Sequence, residues 1–370
     1  MRPTRAEINA AALRRNLASI KNHMRKNVKV MAIVKANAYG HGIVEVSEIL
    51  ADEKIDYLGV GFLDEGIVLR KNGIKVPTLV LGGVLGNQIK EFLAHDLEVT
   101  VSSIELAKKI DNEVGSSGDQ RARVHLKLDT GMERIGVRAE NAVTFAQEVR
   151  SLKHLEIVGV YSHFATADEN DKSFAYQQLQ RFTKAIREIE MTGIAIPLKH
   201  IANSGAILDI PESHFDMVRV GMMLYGLYPS KETSESIPLQ PALALRSKVV
   251  FLKEVPARTS IGYGRSYFTE RSTKTATIPI GYGDGYSRTL SHKAEVLIRG
   301  SRFPVVGTVC MDQLMVDVGT RSDIHVGDDV TLIGKDGEEE ITGWEIARKM
   351  GTNHYEVLCM IAARVPRVLV

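Results

Sequence analysis

An α/β fold in two parts is predicted for this chain: an N-terminal (β/α)8 barrel of the TIM type, then a mainly β C-terminal domain. Three observations carry that expectation. Short apolar, β-rich runs alternate with helix-period segments up to about residue 225. Eight strand–helix units fall within roughly 200 residues, as a closed barrel requires, although counting alone also allows an open, doubly wound sheet. Beyond the proline-, serine- and charge-rich "LYPSKETSESIPLQPALAL" come short strands with few helices between them.

The expected barrel strands are, in order, "VMAIV" (30–34), "YLGVGF" (57–62), "TLVLGG" (78–83), "LEVTV" (97–101), "RVHLKLD" (123–129), "IVGVYSHF" (157–164), "KHIAN" (199–203) and "FDMVRVG" (215–221). Helical patterns such as "GIVEVSEILADEK" and "NAVTFAQEVRSLKHL" separate them. The barrel is expected over residues 1–230 and the β domain over 231–370. In the latter, "SKVVFLKEV", "TATIPIG", "AEVLIRG", "FPVVGTV", "LMVDVG" and "DVTLIG" read as strands, and "ITGWEIARKM" as a late helix.

Composition narrows the functional classes. The chain has 370 residues, 44% hydrophobic and 25% charged, which suits a globular protein with a sizeable core. Its 47 basic and 45 acidic residues leave a formal charge of +2, so neither a nucleic acid nor another polyanion is an expected partner. The N-terminal stretch lacks a signal-peptide core, and no apolar run is long enough to cross a bilayer. Cys310 and Cys359 are too few for a disulfide framework or a zinc cluster. A reduced, cytoplasmic setting without a metal is the expectation.

In a β/α barrel the active site forms at the carboxyl ends of the strands. The residues where each expected strand stops therefore matter most. The first ends in Lys35, and the fifth carries Lys127 and Asp129 ahead of "TGMER" with Arg134. The sixth reaches His163, the seventh offers His200, Asn203 and Ser204, and the eighth supplies Arg219 before Gly221. Each has a bland alternative: an exposed lysine, a satisfied core histidine, an arginine paired with a nearby acid. Their convergence on one face of the expected barrel favours a site.

The last two strand ends sharpen it. Ser204 in "NSGA" is expected to cap a helix, and "RVGMM" should offer backbone N–H groups at Gly221 and Met222. Phosphate sites recur after the seventh and eighth strands of barrels. A lysine opposite such a site suggests a Schiff base, and pyridoxal 5'-phosphate is the cofactor that combines both features.

With those residues in view, "MAIVKANAYGHG" resembles the cofactor-lysine signature of bacterial alanine racemases. The likeness continues through "KLDTGMERIGV", "YSHFATAD", "IANSGA", "VRVGMMLYG", "SIGYGRSY", "IPIGYGDGY", "GTVCMDQLMVDVG" and "HYEVLCMIAARVPR", covering nearly the whole chain. The resemblance implies that Lys35 is the imine lysine and that Tyr39, Ser204, Gly221, Met222 and Tyr355 hold the phosphate. It implies further that Arg219 faces the pyridine nitrogen with His200 behind it, and that His163 and Asn203 line the cofactor. Arg134 would bond the phenolic oxygen and face the substrate carboxylate, whose other oxygen would meet the backbone of Met311. Lys127 matches a lysine that is carbamylated in some members. Asp312 would support the site, while Asp168 and Tyr282 match the access channel and its inner constriction. Glu133 departs from the pattern, which has a small residue, usually glycine, at that place.

The implied activity is interconversion of L- and D-alanine, supplying D-alanine for peptidoglycan; the alternative is a racemase of another small amino acid such as serine. Two bases on opposite faces of Cα are the simplest way to invert it. The resemblance gives Lys35 the D-enantiomer's proton and Tyr263 the L-enantiomer's. Lysine and tyrosine ordinarily titrate near 10, so each needs its surroundings to act as a base at neutral pH. It also implies a homodimer in which Tyr263 reaches the barrel of the second subunit. Two rivals differ in specific residues. A decarboxylase of the same architecture would place an acid, not Arg219, against the ring nitrogen, and a cofactor carrier would need no Tyr263.

Overall fold

The computed structural model describes residues 2–85, 88–116 and 121–370. They fall into two compact units. One comprises Ala11–Ala38 and Ile43–Gln240, the other Met1–Ala10, Tyr39–Gly42 and Pro241–Val370.

The first unit is the (β/α)8 barrel. Its strands are Lys29–Ile33, Tyr57–Val60, Thr78–Val80, Glu98–Val101, Ala122–Asp129, Leu155–Tyr161, Leu198–His200 and Met217–Val220. Neighbours in this order pair in parallel, and the eighth strand pairs with the first through Met217↔Lys29 to Val220↔Ala32. The seventh and eighth close through backbone bonds from Asp216 N to Lys199 O (3.1 Å) and Arg219 N to Ala202 O (3.0 Å). All eight expected strands are present and the sheet closes on itself, which disposes of the open-sheet alternative.

Both faces of these strands are covered, so they read as apolar runs rather than as alternating patterns. Val30, Leu58, Val60, Leu79, Val99, Val124, Leu126, Val160 and Val218 are all buried. Helices Ile43–Asp52, Leu63–Lys71, Ile104–Gly115, Ala142–Ser151 and Ser173–Met191 form the outer layer. Bonds between non-adjacent strands reveal a polar inner face. Thr100 on the fourth strand meets Tyr161 on the sixth (2.8 Å), and His125 on the fifth meets His200 on the seventh (3.0 Å). Gly159 makes the second contact possible, since a Cβ there would lie 2.6 Å from His125 Nδ1.

The second unit is built on a ten-stranded sheet. Its order runs Phe251–Val255, Thr273–Ile278, Leu314–Gly319, Ser301–Val306, Glu295–Ile298, Asp329–Asp336, Leu243–Lys248, Arg5–Ile8 and Arg367–Leu369, with Glu339–Ile341 beside Asp329–Asp336. The expected strand "SKVVFLKEV" is two strands instead. Val249 N bonds Asp328 O (2.9 Å) and Val250 N bonds Thr277 O (3.0 Å), so the chain changes partners between Lys248 and Phe251. The late helix forms at Gly343–Met350, capped by Thr342, whose side chain accepts from Glu345 N. Among the described residues no helix is long and apolar enough to cross a membrane, and no group of three or more His, Cys, Asp or Glu side chains could hold a metal ion.

Candidate active site

The first barrel strand hands directly to a left-handed turn. Ala36, Asn37, Ala38 and Tyr39 have φ of 53°, 55°, 53° and 48°. Each such residue costs about 1–2 kcal/mol in an L-amino-acid chain, so the turn needs external support. Ala38 N bonds Val34 O (2.8 Å), and Asn37 Oδ1 accepts from Ile43 N (2.9 Å). Glu65 supplies the rest: its carboxylate accepts from Ala36 N (2.6 Å), Gly61 N (2.7 Å) and Phe62 N (3.3 Å). One side chain thus ties the ends of the first and second strands together beside Lys35. Glu65→Ala leaves those donors without their acceptor. We expect a stability loss of about 2 kcal/mol in urea unfolding and a fall in kcat, since the support of Lys35 goes too.

Arg219 on the eighth strand is 3% exposed and donates to five acceptors. They are His200 Nδ1 (3.1 Å), His200 O (3.1 Å), Ser162 O (2.7 Å), His163 Nδ1 (3.0 Å) and Ile201 O (3.0 Å), none of them a carboxylate. Burial first, then the repulsion of Arg134, pulls the guanidinium down to about 10, with Tyr161 opposing. His163 is held well below its ordinary value by desolvation and by the cations Arg219, Arg134, Lys127 and Lys35. His200 is lowered likewise by burial and by Arg219. The strand ends therefore carry a strong positive field, suited to an anion.

Lys127 is 4% exposed, with Nζ donating to Leu128 O (2.8 Å) and lying 5.2 Å from the centre of the Tyr161 ring. Burial and the neighbouring Arg219 bring its amine down to about 7, against the pull of Asp129. Asp129 Oδ1 accepts from Gly131 N (2.8 Å) and Met132 N (3.0 Å), fixing the turn that presents the exposed Arg134. Within it Glu133 has φ 52° and its carboxylate pairs with Arg138 at 3.0 Å. That left-handed backbone is one a glycine adopts without penalty, the physical reason a small residue is expected there.

Ser204 does not cap its helix. Asn203 is the cap, its Oδ1 accepting from Ala206 N (3.1 Å), because Ser204 has already entered the helix Ser204–Asp209. The Ser204 hydroxyl instead accepts from Gly221 N (3.0 Å), bringing the seventh and eighth strand ends together beside Met222.

The remaining expected site residues lie in the second unit, except Asp168, which belongs to the barrel. A Cβ at Gly40 would fall 2.1 Å from Leu358 O, so only glycine permits that approach. Tyr39 and Tyr355 meet edge to face with centroids 6.0 Å apart. Tyr263 is 74% exposed on a short turn between Gly262 (φ 77°) and Gly264 (φ 72°), its carbonyl accepting from Thr308 Oγ1 (3.1 Å). Met311 O accepts from Gly283 N (2.9 Å) and from Arg364 (3.2 Å), which also pairs with Asp312 at 2.8 Å. Tyr282 N bonds Cys310 O (3.0 Å), so Tyr282 and Met311 belong to one loop pair. Asp168 O accepts from Ser230 Oγ.

Two family models match in tandem. The alanine racemase N-terminal domain covers residues 8–229 and the C-terminal domain residues 242–369. The chain belongs to the alanine racemase family. It is 45% identical to the alanine racemase of Halothermothrix orenii over 99% of this chain and 96% of that one. It is 44% identical to that of Methanococcus maripaludis over 99% of this chain and 98% of that one. The structure of the Clostridium difficile 630 alanine racemase superposes with a TM-score of 0.96 at 43% identity, covering 100% of this chain and 96% of that one. The Bacillus anthracis family member with bound L-Ala-P gives 0.94 at 37% identity, covering 100% and 95%.

Sequence reasoning missed Glu65, Glu98 and His125. Glu65 had a detectable signal, a glutamate three positions after the helix N-cap Phe62. Glu98 had a weaker one, a carboxylate inside an otherwise apolar strand.

Proposed function

We propose that this chain interconverts L-alanine and D-alanine with pyridoxal 5'-phosphate as a homodimer with shared sites, in the cytoplasm, supplying D-alanine for peptidoglycan. Family membership supports the activity, and one geometric observation carries the chemistry. Arg219, at the same strand-end rim as Lys35, is buried against neutral acceptors with no carboxylate among them. The donor set fits the cofactor: a lysine amine, the Ser204 hydroxyl, the Met222 amide and a cationic surround, while the expected Gly221 N–H is held by the Ser204 hydroxyl and would have to exchange that partner for the phosphate.

When bound, the cofactor supplies the electron sink that acidifies the substrate Cα–H. Lys35 removes or returns that proton on the D face, and Tyr263 of the second subunit does so on the L face. Ser204, Gly221 and Met222 would hold the phosphate, a role proposed also for Tyr39 and Tyr355, and His163 and Asn203 would line the cofactor. Arg219 cannot accept a proton, so a ring nitrogen held against it would stay neutral. Arg134 and the Met311 backbone orient the substrate carboxylate, with Asp312 steadying Arg364 beside Met311 O. Tyr282 narrows the space beside the substrate side chain, which favours alanine over larger amino acids, with serine the nearest alternative.

Lys127 serves Arg134. Its amine, held near 7, is neutral for much of the protein at physiological pH and can add to carbon dioxide. The N–C bond forms, one proton leaves, and the resulting carbamate pairs with Arg134. Protein equilibrated with isotopically labelled bicarbonate is expected to show a carbamate carbon resonance above about pH 7. The resonance should fade as acid protonates the amine, and should be absent in Lys127→Ala.

The test of the cofactor assignment is covalent. Protein incubated with pyridoxal phosphate and reduced with borohydride should carry the pyridoxyl group on Lys35 alone in a peptide map. A label on another lysine would contradict it.

A further inference from the structure

The proton-transfer chemistry leaves unused the polar column inside the barrel. It begins at Glu98 on the fourth strand, 2% exposed, and runs through His125 and His200, both 0% exposed, to Arg219. The steps are Glu98 Oε2 to His125 Nε2 (2.8 Å), His125 Nδ1 to His200 Nε2 (3.0 Å) and His200 Nδ1 to Arg219 (3.1 Å). We propose that Glu98, acting through His125 and His200, is a positioning residue that fixes Arg219 as a pure donor toward the cofactor's ring nitrogen. This rests on the role given to Arg219 above.

The direction of the column follows from its ends. A guanidinium only donates, so His200 Nδ1 accepts and the proton of His200 sits on Nε2. His125 Nδ1 must then accept, which puts its own proton on Nε2, pointing at Glu98. A carboxylate at that end can only accept. Two imidazoles thus carry the polarity set by Glu98 across three strands to Arg219, and no acid needs to stand beside the guanidinium. Arg123 Nε lies 3.2 Å from the other oxygen, Glu98 Oε1, and is itself held by Asp96 (3.1 Å). The Tyr57 hydroxyl is 3.5 Å from the same oxygen.

That neighbour makes Glu98→Gln informative. Arg123 requires an oxygen on its side, which turns the new amide's NH2 toward His125 Nε2 and sets donor against donor. His125 then moves its proton to Nδ1, His200 follows, and a donor faces Arg219. Removing Arg123 as well lets the amide rotate and offer its oxygen to His125, restoring the original direction without the charge.

The holoenzyme is compared with Glu98→Gln, Glu98→Gln/Arg123→Ala and His125→Leu, each reconstituted with ring-nitrogen-labelled pyridoxal phosphate. Glu98→Gln is expected to lower kcat roughly tenfold, as loss of a group that orients an imidazole ligand commonly does, with KM within about twofold. The ring-nitrogen resonance should move toward the protonated position and pyruvate formed per turnover should rise. The double variant should regain most of both, a rescue that a merely structural glutamate would not give. His125→Leu, if it folds, should match or exceed the single variant. Glu98→Gln with unchanged kcat, partition and nitrogen resonance would overturn the column alone. A protonated nitrogen in the unsubstituted holoenzyme would remove the role of Arg219, and this proposal with it.

Discussion

Tyr263→Phe is expected to slow α-proton exchange from L-alanine by about three orders of magnitude while exchange from D-alanine continues. The substitution removes one hydroxyl at a side chain that is 74% exposed, so the fold should not respond. Lys35, on the other face of Cα, keeps its amine. Lys35→Ala should reverse the pattern, losing exchange from D-alanine. Proton NMR in deuterium oxide reads both rates separately for each enantiomer. Equal losses from the two enantiomers in Tyr263→Phe would mean that one base serves both faces. In the proposed shared-site dimer a second copy of the chain encloses the Tyr263 side chain. Mixing inactive Lys35→Ala with inactive Tyr263→Phe should restore activity, because one site of each mixed dimer would combine an intact Lys35 with an intact Tyr263.

Arg219→Glu should convert a racemase into a leaky transaminase. An acid against the ring nitrogen keeps that nitrogen protonated and spreads the carbanion's charge into the ring, where protonation leads to transamination. Racemisation is expected to fall about a hundredfold, and pyruvate released per racemisation event to rise at least tenfold. The introduced acid would sit against the carbonyls of Ser162, His200 and Ile201, which now accept from Arg219. A loss of stability will accompany it. Arg219→Lys is the control, since it keeps a cationic donor and should hold transamination low. A partition ratio that is the same in both variants would contradict the role of Arg219.

The barrel was legible because its strands are buried on both faces. "RVHLKLD" became Ala122–Asp129 and "VMAIV" became Lys29–Ile33 with little change of bounds. What sequence patterns could not reveal depends on partners far away in the chain. Arg5–Ile8 is a strand only because Leu243–Lys248 and Arg367–Leu369 flank it. "SKVVFLKEV" looks continuous, and it breaks because its halves pair with different strands. Lys35, Lys127, His163 and Arg219 stand out as polar residues at the ends of apolar runs. Glu98 and His125 do not, since only the closed barrel sets them against each other. Nor does local propensity foresee four left-handed residues after Lys35, which persist because Glu65 supports the turn from outside it and Asn37 ties it to Ile43 from within.

The most direct measurement is the circular dichroism of L-alanine in deuterium oxide, with purified protein and added pyridoxal phosphate. The signal should decay to zero with one deuterium at Cα, and should persist in Lys35→Ala and in Tyr263→Phe. A protein that binds the cofactor yet leaves L-alanine optically unchanged would contradict the assignment of alanine as substrate.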